Sequence, residues 1–96
     1  MRRTLLPWSL SILLVCFLLT GCATNSALRN ARESFGRTKA AGAEAKAPYE
    51  YYLAESYLNR AEHEASEGDG DEAREYAAKS DKFSVEALEK AKGGSR

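Results

Sequence analysis

The hydrophobic and polar positions divide the chain into one apolar run followed by three amphipathic segments. Leu5 to Leu19 is a stretch of 15 residues without a charge, and Arg2 and Arg3 precede it. After Cys22 the apolar positions recur at three- and four-residue steps, the period of a helix. Ala27, Ala31, Ser34, Phe35, Thr38 and Ala41, with Leu28, predict a weakly apolar helix over 27–41. Tyr49, Tyr52, Leu53, Tyr57, Leu58, Ala61 and Ala65 fall on one broad face of a second helix over 48–67. Ala73, Tyr76, Ala77, Ser80, Phe83, Ala87, Leu88 and Ala91 mark a third over 70–91. No segment shows the alternation of a strand. The pattern therefore predicts an all-α fold, an antiparallel helical hairpin preceded by a weaker N-terminal helix in a small three-helix arrangement. Strict heptads are absent from this pattern.

The residues between these segments agree with the division. Asn25 or Ser26 can cap the first helix, and Gly42 can stop it. Residues 42–47 read equally as loop or as continued helix. Pro48 suits the first position of the second helix, where its missing N–H is no loss, and Glu50 suits the positive end of the dipole. Gly68 can take the left-handed conformation that closes this helix. Asp69, with Glu72 three residues on, forms a capping-box pattern for the next one. The connection is too short for anything but an antiparallel pair. Gly93 and Gly94 end the third helix, leaving 93–96 as a tail.

The apolar run is shorter than the about 20 residues that a spanning helix needs. Its basic leader, apolar middle and small residues before a cysteine resemble the signal peptide of bacterial lipoproteins, with Leu19, Thr20, Gly21 and Cys22 as the processing motif. The resemblance implies lipidation of the Cys22 thiol and cleavage before it. Residues 1–21 are then a removed signal peptide, 22–27 a lipidated tether and 28–92 the helical domain. Ala23 stands where an aspartate often retains such proteins in the inner membrane. The expected location is the cell envelope, most simply the outer membrane facing the periplasm.

Composition narrows the function further. The 96 residues hold 14 basic and 14 acidic side chains. Without residues 1–21 there remain 75 residues, 12 of them basic and 14 acidic. That is one small domain, with no basic stripe for a phosphate backbone, so no nucleic acid partner is expected. The cysteines are Cys16, within the apolar run, and Cys22. With Cys22 lipidated, no thiol remains for a disulfide or a metal, and the domain is held by packing alone.

Candidate chemistry is sparse. His63, between Glu62 and Glu64, has only Glu67 one turn away and reads as a solvated surface histidine rather than a metal ligand. Asp69, Asp71 and Glu72 lack the alternating oxygen ligands of a calcium loop, and helix capping accounts for them. No nucleophile–base–orienter set and no phosphate-binding loop is recognisable, so neither an enzyme nor a cofactor is expected. The tyrosines are the remaining feature. Tyr49, Tyr51 and Tyr52 spread around their helix and cannot all face one core. Most of the tyrosines are expected to fill a hairpin core otherwise thin in Leu, Ile and Val; Tyr51, Tyr52 and Tyr57 are the candidate partner-binding residues, with Tyr51 expected at the surface.

Two resemblances bear on this. Residues 68–80, Gly-Asp-Gly-Asp-Glu-Ala-Arg-Glu-Tyr-Ala-Ala-Lys-Ser, resemble the turn and second helix of a tetratricopeptide repeat. Gly70, Arg60 and Glu64 depart from its usual large apolar residues, and a single unit does not make a repeat array. More broadly, Ala-Pro-Tyr-Glu-Tyr at 47–51, Ala54-Glu55, Tyr57-Leu58, Ala61 and the Gly-Asp turn resemble a family of small envelope lipoproteins that carries a domain of unknown function. Some members of that family are joined to OmpA-like domains. The resemblance implies location and architecture but supplies no activity. With the lipoprotein motif, the alanine-rich helices and the tetratricopeptide-like turn, the expectation is a lipid-anchored, non-catalytic protein-interaction domain whose partner is an OmpA-like or other envelope component. The alternatives are a self-associating structural lipoprotein and a peptidoglycan or glycan binder.

Overall fold

The computed structural model describes the backbone over residues 2–93 and the side chains of residues 9–16 and 22–93. The fold is all-α, with elements α1 (Arg2–Ala40), α2 (Ala43–Lys46), α3 (Pro48–Ser66) and α4 (Gly70–Gly93). Helix α4 lies in the middle and packs on both α3 and α1. Thr24 meets Arg74, Ser34 meets Asp81 and Thr38 meets Ser84, so α1 and α4 run parallel. Arg32 meets Glu62 and Phe35 meets Tyr51, so α1 and α3 run antiparallel. The result is an up-down-up bundle of three helices.

The breaks between helices follow from single residues. Gly42, at φ 77°, turns the chain out of α1 in a conformation that an L side chain adopts at a cost of roughly 1–2 kcal/mol. The ambiguous stretch after it forms the four-residue helix α2. Pro48 then opens α3 at the expected position. At the far end Gly68, at φ 82°, closes α3 with a Schellman motif. Its N–H donates to Ala65 O at 3.1 Å, and the Asp69 N–H donates to Glu64 O at 2.9 Å. The Asp69 carboxylate accepts from the Glu72 N–H at 3.2 Å and caps α4. Only this half of the expected capping box forms, because the Asp69 N–H is already committed to α3.

The core is made of small residues. The buried positions of α4 are Ala73, Ala77, Ser80, Ser84, Ala87 and Ala91, a strict alternation of four- and three-residue steps. In α3 the same alternation runs through Ala47, Tyr51, Ala54, Leu58 and Ala61. In α1 it runs through Thr24, Leu28, Ala31 and Thr38, with half-buried Phe35 between the last two. The bundle thus does carry heptads, correcting the expectation that they are absent. Alanine, serine and threonine hold positions that leucine usually occupies, and this lets the helices approach closely. Two of the buried hydroxyls turn to the backbone of the neighbouring helix. Ser80 Oγ donates to Ala54 O at 2.8 Å, and Thr38 Oγ1 lies 2.7 Å from Ser84 O.

Two expectations need correction on this frame. The face of α3 turned to the core is not the one bearing Tyr49 and Tyr52, which are exposed, but the one bearing Tyr51 and Ala54. A core of methyl groups has no room for a row of tyrosine rings, so most of them lie at its edges. Residues 22–27 are helical and not a loose tether, and Thr24 is already buried against α4. Residues 94–96 of the expected tail lie outside the described residues.

Upstream of Thr24, α1 projects beyond the bundle. Leu10, Ile12, Leu13, Leu14 and Val15 are 53–72 % exposed. Among the described residues, no helix is long and apolar enough to cross a membrane.

Candidate functional site

The two ends of the bundle differ. One end holds Cys22, Thr24 and the α3–α4 turn. Cys22 is exposed, and two residues later Thr24 accepts a hydrogen bond from Arg74 Nη1 at 3.2 Å. Gly70 sits against it, with only 2.9 Å between a Cβ at that position and Thr24 Oγ1, which accounts for a glycine at the start of α4. Leu19, Thr20 and Gly21 belong to α1, but their side chains lie outside the described residues. The turn is acidic. Carboxylate oxygens of Glu64, Asp69 and Glu72 lie within 4.8 Å of one another. The charges of Asp69 and then Glu64 raise the Glu72 carboxyl above its ordinary range. His63 is at the surface, its Nε2 3.9 Å from Glu67.

The other end carries Tyr49, Tyr51 and Tyr52. Tyr51, expected at the surface, is only 2 % exposed. Its ring lies 5.0 Å from that of Phe35 and meets Tyr52 edge-on at 5.3 Å, over Ala43, Ala47, Ala87 and Ala91. It fills the wider gap where α1 gives way to α2. Tyr57 is half-buried on the α3–α4 seam. It stacks on Phe83 at 5.7 Å and on Tyr76 at 6.0 Å, with the Lys79 ammonium 5.6 Å from the Tyr57 and Tyr76 centroids. Of the candidate tyrosines only Tyr52 is open to solvent, at 50 % exposure, and its hydroxyl donates to Glu44 Oε1 at 3.0 Å. Tyr49, which the apolar pattern places in the core, is 71 % exposed. With Pro48, Tyr52, Leu53 and Ser56 it lines an open groove of about 360 Å³ on the outer side of α3. The four-three spacing of the small residues carries the signal for this arrangement, since it assigns Tyr51 inward and Tyr49 and Tyr52 outward.

Chain segment 26–95 matches the family model of a domain of unknown function, DUF4398. The chain belongs to this family. The matched stretch takes in α1 from Ser26 onward, the α2 turn and the α3–α4 hairpin, and it leaves outside the projecting part of α1 and buried Thr24. No curated protein and no solved structure matches the chain. The DUF4398 match therefore covers most of the bundle, and the open aromatic groove lies within the matched residues.

Beside the groove, Glu50 and Lys90 tie the start of α3 to the end of α4. Glu50 is buried, and the Lys90 ammonium, followed by backbone N–H donation, holds its carboxyl below the ordinary range. Lys90 is raised in turn, first by the same bond. Because the folded value of Glu50 is lowered, the stability it contributes is present above the unfolded value near 4.5 and is lost as pH falls through the folded value. Glu72 works in the opposite sense, its contribution being lost as pH rises through its raised folded value. Glu50→Gln should therefore lower the melting temperature at neutral pH and flatten its fall in acid. Thermal melts followed by circular dichroism at a series of pH values check this. An unchanged acid slope would show that the ion pair contributes nothing.

Proposed function

We propose that this protein is a lipid-anchored component of the cell envelope whose helical bundle is a non-catalytic protein-interaction domain. The observation that carries the reading is the place where packing begins. Upstream of Cys22 the described side chains of α1, residues 9–16, are exposed and largely apolar, while among the described residues burial starts at Thr24. Cleavage before Cys22 would remove the exposed apolar surface and leave the bundle whole. A run of large apolar side chains exposed in this way is normally covered by a membrane or a partner. The buried methylenes of an acyl chain contribute about 0.8 kcal/mol each, and more than one chain makes release slow. The partner fits an OmpA-like or other envelope protein, met from the outer membrane in the periplasm.

The test is the intact mass of the protein extracted from its native membrane, beside a Cys22→Ala variant. The expected mass is that of residues 22–96 plus acyl chains, and the variant should lose both the added mass and its retention in the membrane fraction. An unmodified mass beginning at Met1 would overturn the anchor.

A further inference from the structure

The groove on α3 carries a charge as well as an apolar lining. Its rings belong to Tyr49 and Tyr52, and its apolar sides to Pro48 and Leu53. Glu44, from α2, holds the Tyr52 hydroxyl at 3.0 Å. Glu55 stands one turn further along α3, close enough for its charge to act on the same hydroxyl. Both carboxylates raise the Tyr52 hydroxyl above its ordinary value, the bond to Glu44 most of all, and Glu44 sets a carboxylate at the edge of the ring. Lys90, whose charge is felt at Tyr49, is already engaged by Glu50. Exposed tyrosine faces beside carboxylates attract cations, and a ring–cation contact is worth about 0.5–2 kcal/mol depending on desolvation. Long basic side chains also bring an aliphatic stem, which Pro48 and Leu53 can cover.

We propose that this groove docks a basic segment of a protein partner, with an arginine or lysine head across the rings of Tyr49 and Tyr52 and its charge against Glu44 and Glu55. The inference rests on the interaction-domain reading and supplies the chemistry of the partner. The groove lies at the end of the bundle opposite Cys22. The helical rise from Cys22 to Ala40 puts it roughly 27 Å away, so an anchored copy presents it clear of the lipid headgroups. Arginine fits better than lysine, because its planar head stacks on a ring while its donors reach a carboxylate.

The full-length protein in detergent tests this by fluorescence anisotropy with a labelled octapeptide of alternating arginine and leucine. Controls are the same peptide with glutamate for arginine, and chitotetraose as a competitor. The arginine peptide should bind, and salt should weaken it. Tyr49→Ser with Tyr52→Ser should reduce affinity about tenfold, as should Glu44→Gln with Glu55→Gln. Asp69→Asn with Asp71→Asn, at the opposite end, should leave it unchanged. The proposal is overturned if the glutamate peptide binds equally, if chitotetraose displaces the arginine peptide, if no peptide binds, or if only the Asp69/Asp71 variant weakens binding. The result is independent of lipidation. Binding with an unmodified Met1 terminus would sink the anchor and keep the groove, and the reverse pair of results would do the opposite.

Discussion

Tyr51→Ala will destabilise the 23–96 fragment by about 3–5 kcal/mol. Tyr49→Ala, two residues away, will change its stability by less than about 0.5 kcal/mol. The contrast comes from where the rings sit. Tyr51 is 2 % exposed and packs on Phe35, Tyr52 and four alanines, whereas Tyr49 is 71 % exposed. Alanine neighbours have no side chain with which to fill the space that Tyr51 would leave, so the cavity remains and the cost stays at the upper end of the range. A domain of this size holds a reserve of only about 3–5 kcal/mol, so the Tyr51 variant should be largely unfolded near body temperature. Urea titration followed by circular dichroism measures both changes. The fragment contains every buried side chain among the described residues, the first of which is Thr24. Equal effects at the two positions would mean that α3 is rotated from the orientation described.

The same pair of residues shows how far the sequence could be read. Helix boundaries were legible because single residues set them. Pro48 can only begin a helix, and Gly68 followed by Asp69 ends one and caps the next, as the structure shows. The buried face of α4 was largely legible as well, because Ala73, Ala77, Ser80, Ala87 and Ala91 are too small to suggest any other role. On α3 size misled. Ranking positions by apolar bulk sends Tyr49 and Tyr52 inward, but a bundle whose other helices offer mostly small residues to the core has no volume for them. Glu50 was illegible as a buried residue because its burial depends on Lys90, 40 positions away in the chain. The start of the bundle was misplaced for a related reason. Residues 23–27 look like a polar tether, yet Thr24 finds a partner in Arg74 that local sequence does not announce. The groove inherits these errors, and it came into view only once Tyr51 was assigned to the core.

Ala77→Leu will be nearly as damaging as loss of Tyr51, for the opposite reason. Ala77 is 1 % exposed at the point where Leu28 and Ala31 of α1 meet Leu58 and Ala61 of α3. It therefore borders both seams of the central helix. Leucine there faces Ala31 and Ala61, whose bulk is backbone, between Leu28 and Leu58, which are themselves buried. The helices themselves must separate, and separating them strips contacts from the seam above and below. Overpacking a core typically costs about 1–3 kcal/mol, and for a domain this small each kcal/mol lowers the melting temperature by about 4–8 °C. The upper end of the range is expected, because α1 and α3 are displaced together. Ala78→Leu is the matched control, since Ala78 is the next residue on the same helix and exposed. Its added bulk enters solvent, and helix propensity is almost unchanged, so its melt should lie within a few degrees of the native one. Thermal melts of the two variants side by side separate packing from composition. If Ala77→Leu melts with Ala78→Leu, the close approach of the three helices is wrong. The small-residue heptads would then reflect helix propensity rather than fit.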